Sequence, residues 1–183
     1  MKLRPWQAES ALNLAVLRIT VPTVVLISPE LWLAAELADL PTELRVIPEG
    51  LQAAAYVVPI SAEVARVAQG ILVVACAAAI LGICSRIACG VVTAAGLYVF
   101  ALSQFSGSVL HDMHLFWFSA LLAASPCGDA LSVDRYLCKR RGESAAVASS
   151  VYGLPLQCVR VLLAVVYFFP GMWKLRSAGL DWI

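Results

Sequence analysis

Three kinds of side chain stand where chemistry is possible: a histidine pair, a lysine and an arginine, each in or beside a strongly apolar stretch. His111 and His114 are three residues apart, so on a helix their imidazoles share a face. That is half of a metal site, but no carboxylate or thiol from the same side completes a shell, and no bound metal is expected. Two readings remain. The histidines are solvated at a helix end, or they are neutral imidazoles that donate to or accept from a bound molecule. Lys174 follows an apolar run in PGMWKLRSAGLDWI. With Trp173 and Trp182 it fits an interfacial belt. Partly desolvated, its ammonium would lose pKa and become a usable base. Arg18 lies in the middle of ALNLAVLRITVPTVVLIS. A charge at that depth needs a partner or a task. It either pairs structurally, with helix-end carbonyls or another group, or it touches an anionic or otherwise polar ligand. Arg66 and Arg160 fall at span ends, where snorkelling suffices.

The elements that position these residues follow from composition. Of 183 residues, 61% are hydrophobic and 14% charged. A soluble domain is about 45–50% apolar and about 25% charged, and one this small cannot hide so much apolar surface. A water-soluble enzyme and a disordered chain are both excluded as the default. The net charge of +1 argues against a nucleic-acid partner. What remains is an all-α polytopic transmembrane helical bundle in a lipid bilayer, one domain over residues 1–183. Five spans are expected, at 10–28, 65–83, 87–105, 110–126 and 157–173, the last two short for a bilayer. Residues 51–60 are too short to cross and read as an interfacial or re-entrant piece. Residues 28–44 fit a short amphipathic helix on the outer surface.

Charge orients the bundle. Lys2, Arg4, Arg86, Arg135, Lys139, Arg140 and Arg141 put seven basic residues on one side, against Arg45, Lys174 and Arg176, three, on the other. The positive-inside rule then puts the N-terminus in the cytoplasm and the His111 and Lys174 ends outside, under the acidic 29–64 loop. Both residues end separate spans on one side, which suggests one site opening outward. The first apolar stretch is interrupted by Arg18 and Pro22 and lacks a small-residue cleavage site, so an uncleaved first helix is expected rather than a signal peptide. The six cysteines lie in apolar stretches or beside basic residues on the cytoplasmic side, where thiols stay reduced. Free thiols are expected. Cys84-x4-Cys89 lacks the close spacing of a zinc site.

Four stretches together resemble the vitamin K-dependent gamma-carboxylase family and its wider bacterial relatives, the HTTM domain proteins. They are LAVLRIT (14–20), LGICSRIAC (81–89), the interval from His111 to SVD (132–134), and YFFPGMWKL…DW (167–182). The resemblance implies a membrane enzyme driven by reduced vitamin K or a related quinol, with carbon–carbon lyase and quinol epoxidase chemistry. In such carboxylases a lysine acts as base on the quinol, and oxygen converts the quinol to a strongly basic alkoxide. The alkoxide takes a proton from a peptide glutamate, the carbanion adds carbon dioxide, and the quinone epoxide leaves. The lysine matches Lys174 and the active-site histidine matches His111; His114 and Arg18 are further candidate quinone contacts. A dry site suits that chemistry. The substrate would be a peptide or protein on the outer side.

Two departures temper the resemblance. Lys-Leu and Asp-Trp are separated by Arg176 to Leu180, five residues, a spacing closer to the bacterial relatives than to the animal carboxylases. The family also continues beyond Asp-Trp with further helices and, in carboxylases, a large extramembrane domain. The chain is therefore expected to be the N-terminal part of a longer protein or to work with a partner subunit. The alternative to the enzyme is an HTTM membrane module for protein maturation or complex assembly without carboxylase activity; a structural subunit of a larger membrane complex is a third option.

Overall fold

The computed structural model describes residues 8–48, 50, 52–107, 112–142 and 148–178. In chain order these form α1 (Ala11–Ile27), α2 (Pro29–Ala38), a 3-10 turn (Thr42–Leu44), α3 (Gln52–Val57), α4 (Ala62–Leu81), α5 (Ser85–Phe105), α6 (His114–Ala124), α7 (Val133–Arg140) and α8 (Ser150–Ala178). Two-residue strands, β1 (Glu9–Ser10) and β2 (Ala148–Ser149), pair antiparallel and hold the start of α1 beside the start of α8.

Local signals account for most helix ends. The Ser10 hydroxyl accepts the Leu12 amide at 3.2 Å and opens α1. Inside α1, Thr20 and Thr23 donate to carbonyls one turn back, at 2.9 and 2.7 Å, which keeps their hydroxyls paired in an apolar setting. Pro29 opens α2 at a position where a missing N–H costs nothing, and the chain bends by 47° there. Ser61 caps α4, and Gly82, at φ +72°, ends it in the left-handed conformation.

The helices α4, α5 and α8 are each long and apolar enough to cross a membrane, and the bent pair α1–α2 makes a fourth candidate. The chain is an integral membrane protein on that basis. Among the described residues the expected count of five spans is not confirmed: α6 has 11 residues there, a rise of about 17 Å against a hydrocarbon core of about 30 Å. Its apolar run ends because Ser125 takes an extended backbone ahead of Pro126. The last span is longer than expected, 29 residues from Ser150, because Pro155 falls near the start of the helix and does not break it. Arg160 is consequently not at a span end. It lies well inside α8 and meets Glu9 at 3.2 Å, a pair open to solvent and worth little. The segment at 51–60 is the six-residue α3, followed by Pro59.

The core lies between α1, α4, α5 and α6, with α2 laid across α4 and α5. Leu31, Ala34 and Ala38 form the buried stripe of α2. Gln69 of α4 donates to the carbonyls of Leu31 and Trp32, which fixes α2 against it. Thus α2 is more than a surface helix. Phe100 and Phe116 meet edge to face at 4.8 Å, and the Phe116 ring occupies the space a Cβ at Gly96 would need.

Candidate functional site

Arg18 is completely buried, and the fold is built around it. Its Nε donates to the carbonyl of Cys127 at 3.1 Å. Nη1 donates to Ala79 and, at 3.1 Å, to Ile80. Nη2 donates to Ala130 at 3.4 Å and Leu131 at 2.7 Å. A guanidinium has five N–H donors, and five carbonyls receive them. Two belong to the last turn of α4, where carbonyls lack helical partners and carry the negative end of the helix dipole. Three belong to the turn between α6 and α7. Of the two readings of Arg18, helix-end and turn carbonyls account for every donor, and none is left over for a ligand in this arrangement.

A second knot lies beside the first. Asp134 is in the first turn of α7, yet its carboxylate reaches the start of α5. It accepts the Cys84 amide at 2.8 Å, the Ser85 amide at 2.7 Å and the Ser85 hydroxyl at 2.8 Å. Its own amide donates to the Gly82 carbonyl at 3.0 Å. Burial pushes the Asp134 carboxyl upward, but the Ser85 and Cys84 donors outweigh it and hold the group below the usual carboxylate range. Ser132 meanwhile caps α7, accepting the Arg135 amide at 2.8 Å, and donates to the Gly128 carbonyl. In Ser-Val-Asp, then, the serine caps its own helix and the aspartate caps a different one.

Backbone strain gathers at the same place. Among the described residues, Cys84 (φ +45°) and Leu131 (φ +47°) are the non-glycine residues with positive φ. Each such residue costs about 1–3 kcal/mol and persists only where its surroundings enforce it. Here Cys84 turns its amide to Asp134, and Leu131 turns its carbonyl to Arg18. A side chain at Gly82 would run into Ser132 and the Arg18 guanidinium. Cys89 and Cys127, both fully buried free thiols, lie against each other next to this junction.

The other expected site residues stand elsewhere. His111 lies outside the described residues, as do Asp181 and Trp182. His114 begins α6, half-buried, and stands edge-on to Phe118 at 5.3 Å. Lys174 is exposed on the last turns of α8. The start of α8 packs beside the end of α6, where Ala124, Ser125 and Pro126 share a cavity wall with Ser150, Val151 and Leu154. The cavities lined by 70–91, by 124–126 with 150–155 and by Trp173, Arg176 and Ser177 include none of Lys174, His114 and Arg18. A separate apolar groove of about 490 Å³ runs between α4 and α5, lined by Ile71, Val74, Ala78, Ile87 and Val91.

Reasoning from residue type missed Asp134, Ser85, Gly82 and Cys127. The signal was present only as the stretches LGICSRIAC and SVD, which in the fold close on Arg18 of LAVLRIT. No protein-family model, curated protein or solved structure matches the chain.

Proposed function

We propose that the chain is a membrane-embedded module of the HTTM and gamma-carboxylase kind that serves protein maturation or complex assembly. The observation that carries this reading is the convergence of three of the four resembling stretches. Residues 14–20, 81–89 and 132–134 are far apart in sequence and meet at one junction: Asp134 accepts from Cys84 and Ser85, Gly82 lies against the Arg18 guanidinium, and Arg18 donates to carbonyls at 79–80 and 127–131 that flank the other two stretches. Such a junction gives these stretches a reason to occur together in one chain: it holds α1, α4, α5 and α7 in a fixed relation. The end bearing Lys174 is, by contrast, an apolar helix with little of its length buried. A partner subunit or a peptide substrate would complete it. In this reading the junction faces the cytoplasm and the Lys174 end faces outward, following the seven basic residues against three.

The second reading is the carboxylase itself, with Lys174 as base and His111 as quinone contact. What favours it is the charge count, which puts the His111 and Lys174 ends on the same side of the membrane. One assay separates the two readings. The purified full chain, in lipid nanodiscs, is given reduced naphthoquinone, oxygen, carbon dioxide and a glutamate-containing peptide, and epoxide and carboxylated peptide are measured. The module reading expects neither product. If both form, and if Lys174→Ala and Lys174→Arg each abolish them while the protein melts normally, the enzyme reading replaces it. Arginine fails as a base because a guanidinium keeps its proton.

A further inference from the structure

We infer that α7 is a docking surface for anionic phospholipid, pressed against the membrane that the neighbouring helices cross. The inference is independent of the function proposed above. It begins with position. Asp134 ties the first turn of α7 to Gly82, Cys84 and Ser85, the turn between α4 and α5. Those two helices are long and apolar enough to span a bilayer, so the turn between them marks a membrane surface, and α7 is fixed at that level.

The composition of α7 suits that level and little else. None of its residues is buried. Val133, Tyr136 and Leu137, at i, i+3 and i+4, form one apolar face and are exposed by 40%, 56% and 47%, with Leu131 beside them at 61%. Lys139, Arg140 and Arg141 follow, all exposed. Arg140 lies over the Tyr136 ring at 4.9 Å, which places a cation at the edge of the apolar face. The one carboxylate of the helix, Asp134, is committed to the start of α5 and does not neutralise them. An apolar face with a basic rim at the membrane boundary matches acyl chains below and phosphate headgroups above. A soluble anion would match the cations but leave the apolar face in water. An acidic protein would need the face turned away from the bilayer.

Native mass spectrometry of the purified full chain in detergent tests this, with dioleoylphosphatidylglycerol and dioleoylphosphatidylcholine supplied at equal concentration. Phosphatidylglycerol should bind preferentially. The triple variant Lys139→Gln, Arg140→Gln, Arg141→Gln should lose that preference, by about fivefold per cation removed. Arg176→Gln, at the far end of α8, should keep it. Tyr136→Ser with Leu137→Ser should weaken both lipids together. All variants alter exposed side chains, and unchanged melting will verify their fold. Equal binding of the two lipids by the native chain would overturn the inference, as would a triple variant that keeps its preference. Displacement of phosphatidylglycerol by inorganic phosphate would reduce the surface to a simple anion site. Equally tight binding of a polyglutamate peptide would assign it to an acidic protein instead.

Discussion

Arg18 sets the cost structure of this fold at the level of single side chains. A buried guanidinium without partners is prohibitive, and the carbonyls it serves, of which Ala79 alone is shown with a second donor in the Gly82 amide, are costly to leave unpaired. Arg18→Leu should therefore remove folded protein from the membrane, since each buried carbonyl left unpaired costs about 1–3 kcal/mol. Arg18→Lys should fold but melt lower, since an ammonium offers three donors for five acceptors. Size-exclusion profiles and melting curves in mild detergent will show both. A leucine variant that expresses and melts like the native chain would end the structural reading. Asp134 gives a pH dependence of known sign. Its carboxyl is held below the ordinary value when folded, so the unfolded chain binds the extra proton first as the pH drops. The stabilisation is complete above the ordinary carboxylate range and fades as the pH falls through the depressed value. Melting temperature should decline on acidification below about pH 4, and Asp134→Asn should be less stable at neutral pH with a shallower decline. Parallel curves for the two proteins would contradict the assignment.

Among the elements, access to the thiols varies around the junction. Cys84 is exposed and Cys138 partly so, while Cys76, Cys89 and Cys127 are buried. A membrane-impermeant maleimide should modify Cys84 readily and leave Cys76, Cys89 and Cys127 intact until the protein is denatured, which peptide mass spectrometry resolves. The same reagent reports orientation. With the junction in the cytoplasm, Cys84 should react in permeabilised cells and not in intact ones; the reverse pattern would invert the proposed topology. The contrast between α6 and α8 is also decided at this scale. Both begin as apolar runs, but Ser125 and Pro126 stop the first after 11 residues, and the second continues through Pro155 and Pro170 to 29 residues.

Across the whole molecule, packing is uneven. The helices α4 and α5 make the most extensive helix pair and enclose much of the core, whereas Val165, Tyr167, Phe168, Phe169, Met172 and Trp173 of α8 are all exposed. Local stability follows buried contacts. In detergent, amides of α8 beyond Val165 should exchange hydrogen faster than those of α5 between Cys89 and Leu102, a difference that peptide-level exchange mass spectrometry measures. Equal protection along both helices would mean that α8 has packing partners these contacts do not include.

Much of this architecture could be read from neighbouring residues. Composition alone required membrane helices, Ser61 and Gly82 bracket α4, and Ser132 with Lys139 and Arg140 brackets α7, because caps and dipole partners act within a few residues of the backbone they satisfy. Span lengths were less legible. Proline is a strong stop in water but is accommodated in an apolar helix whose neighbours re-pair the freed groups, so α8 runs through Pro155 and Pro170 and exceeds the expected 157–173 at both ends. The junction was out of reach of any local rule. Arg18 bonds to backbone carbonyls 61 to 113 positions away, and a carbonyl has no residue type to announce it. Asp134 carries the mark of a cap for its own helix, yet it caps α5, because packing brings two turns together that are separated by 50 positions at Cys84. Charge and hydropathy dictate that an arginine in an apolar helix must be satisfied; which atoms satisfy it is a property of the closed bundle.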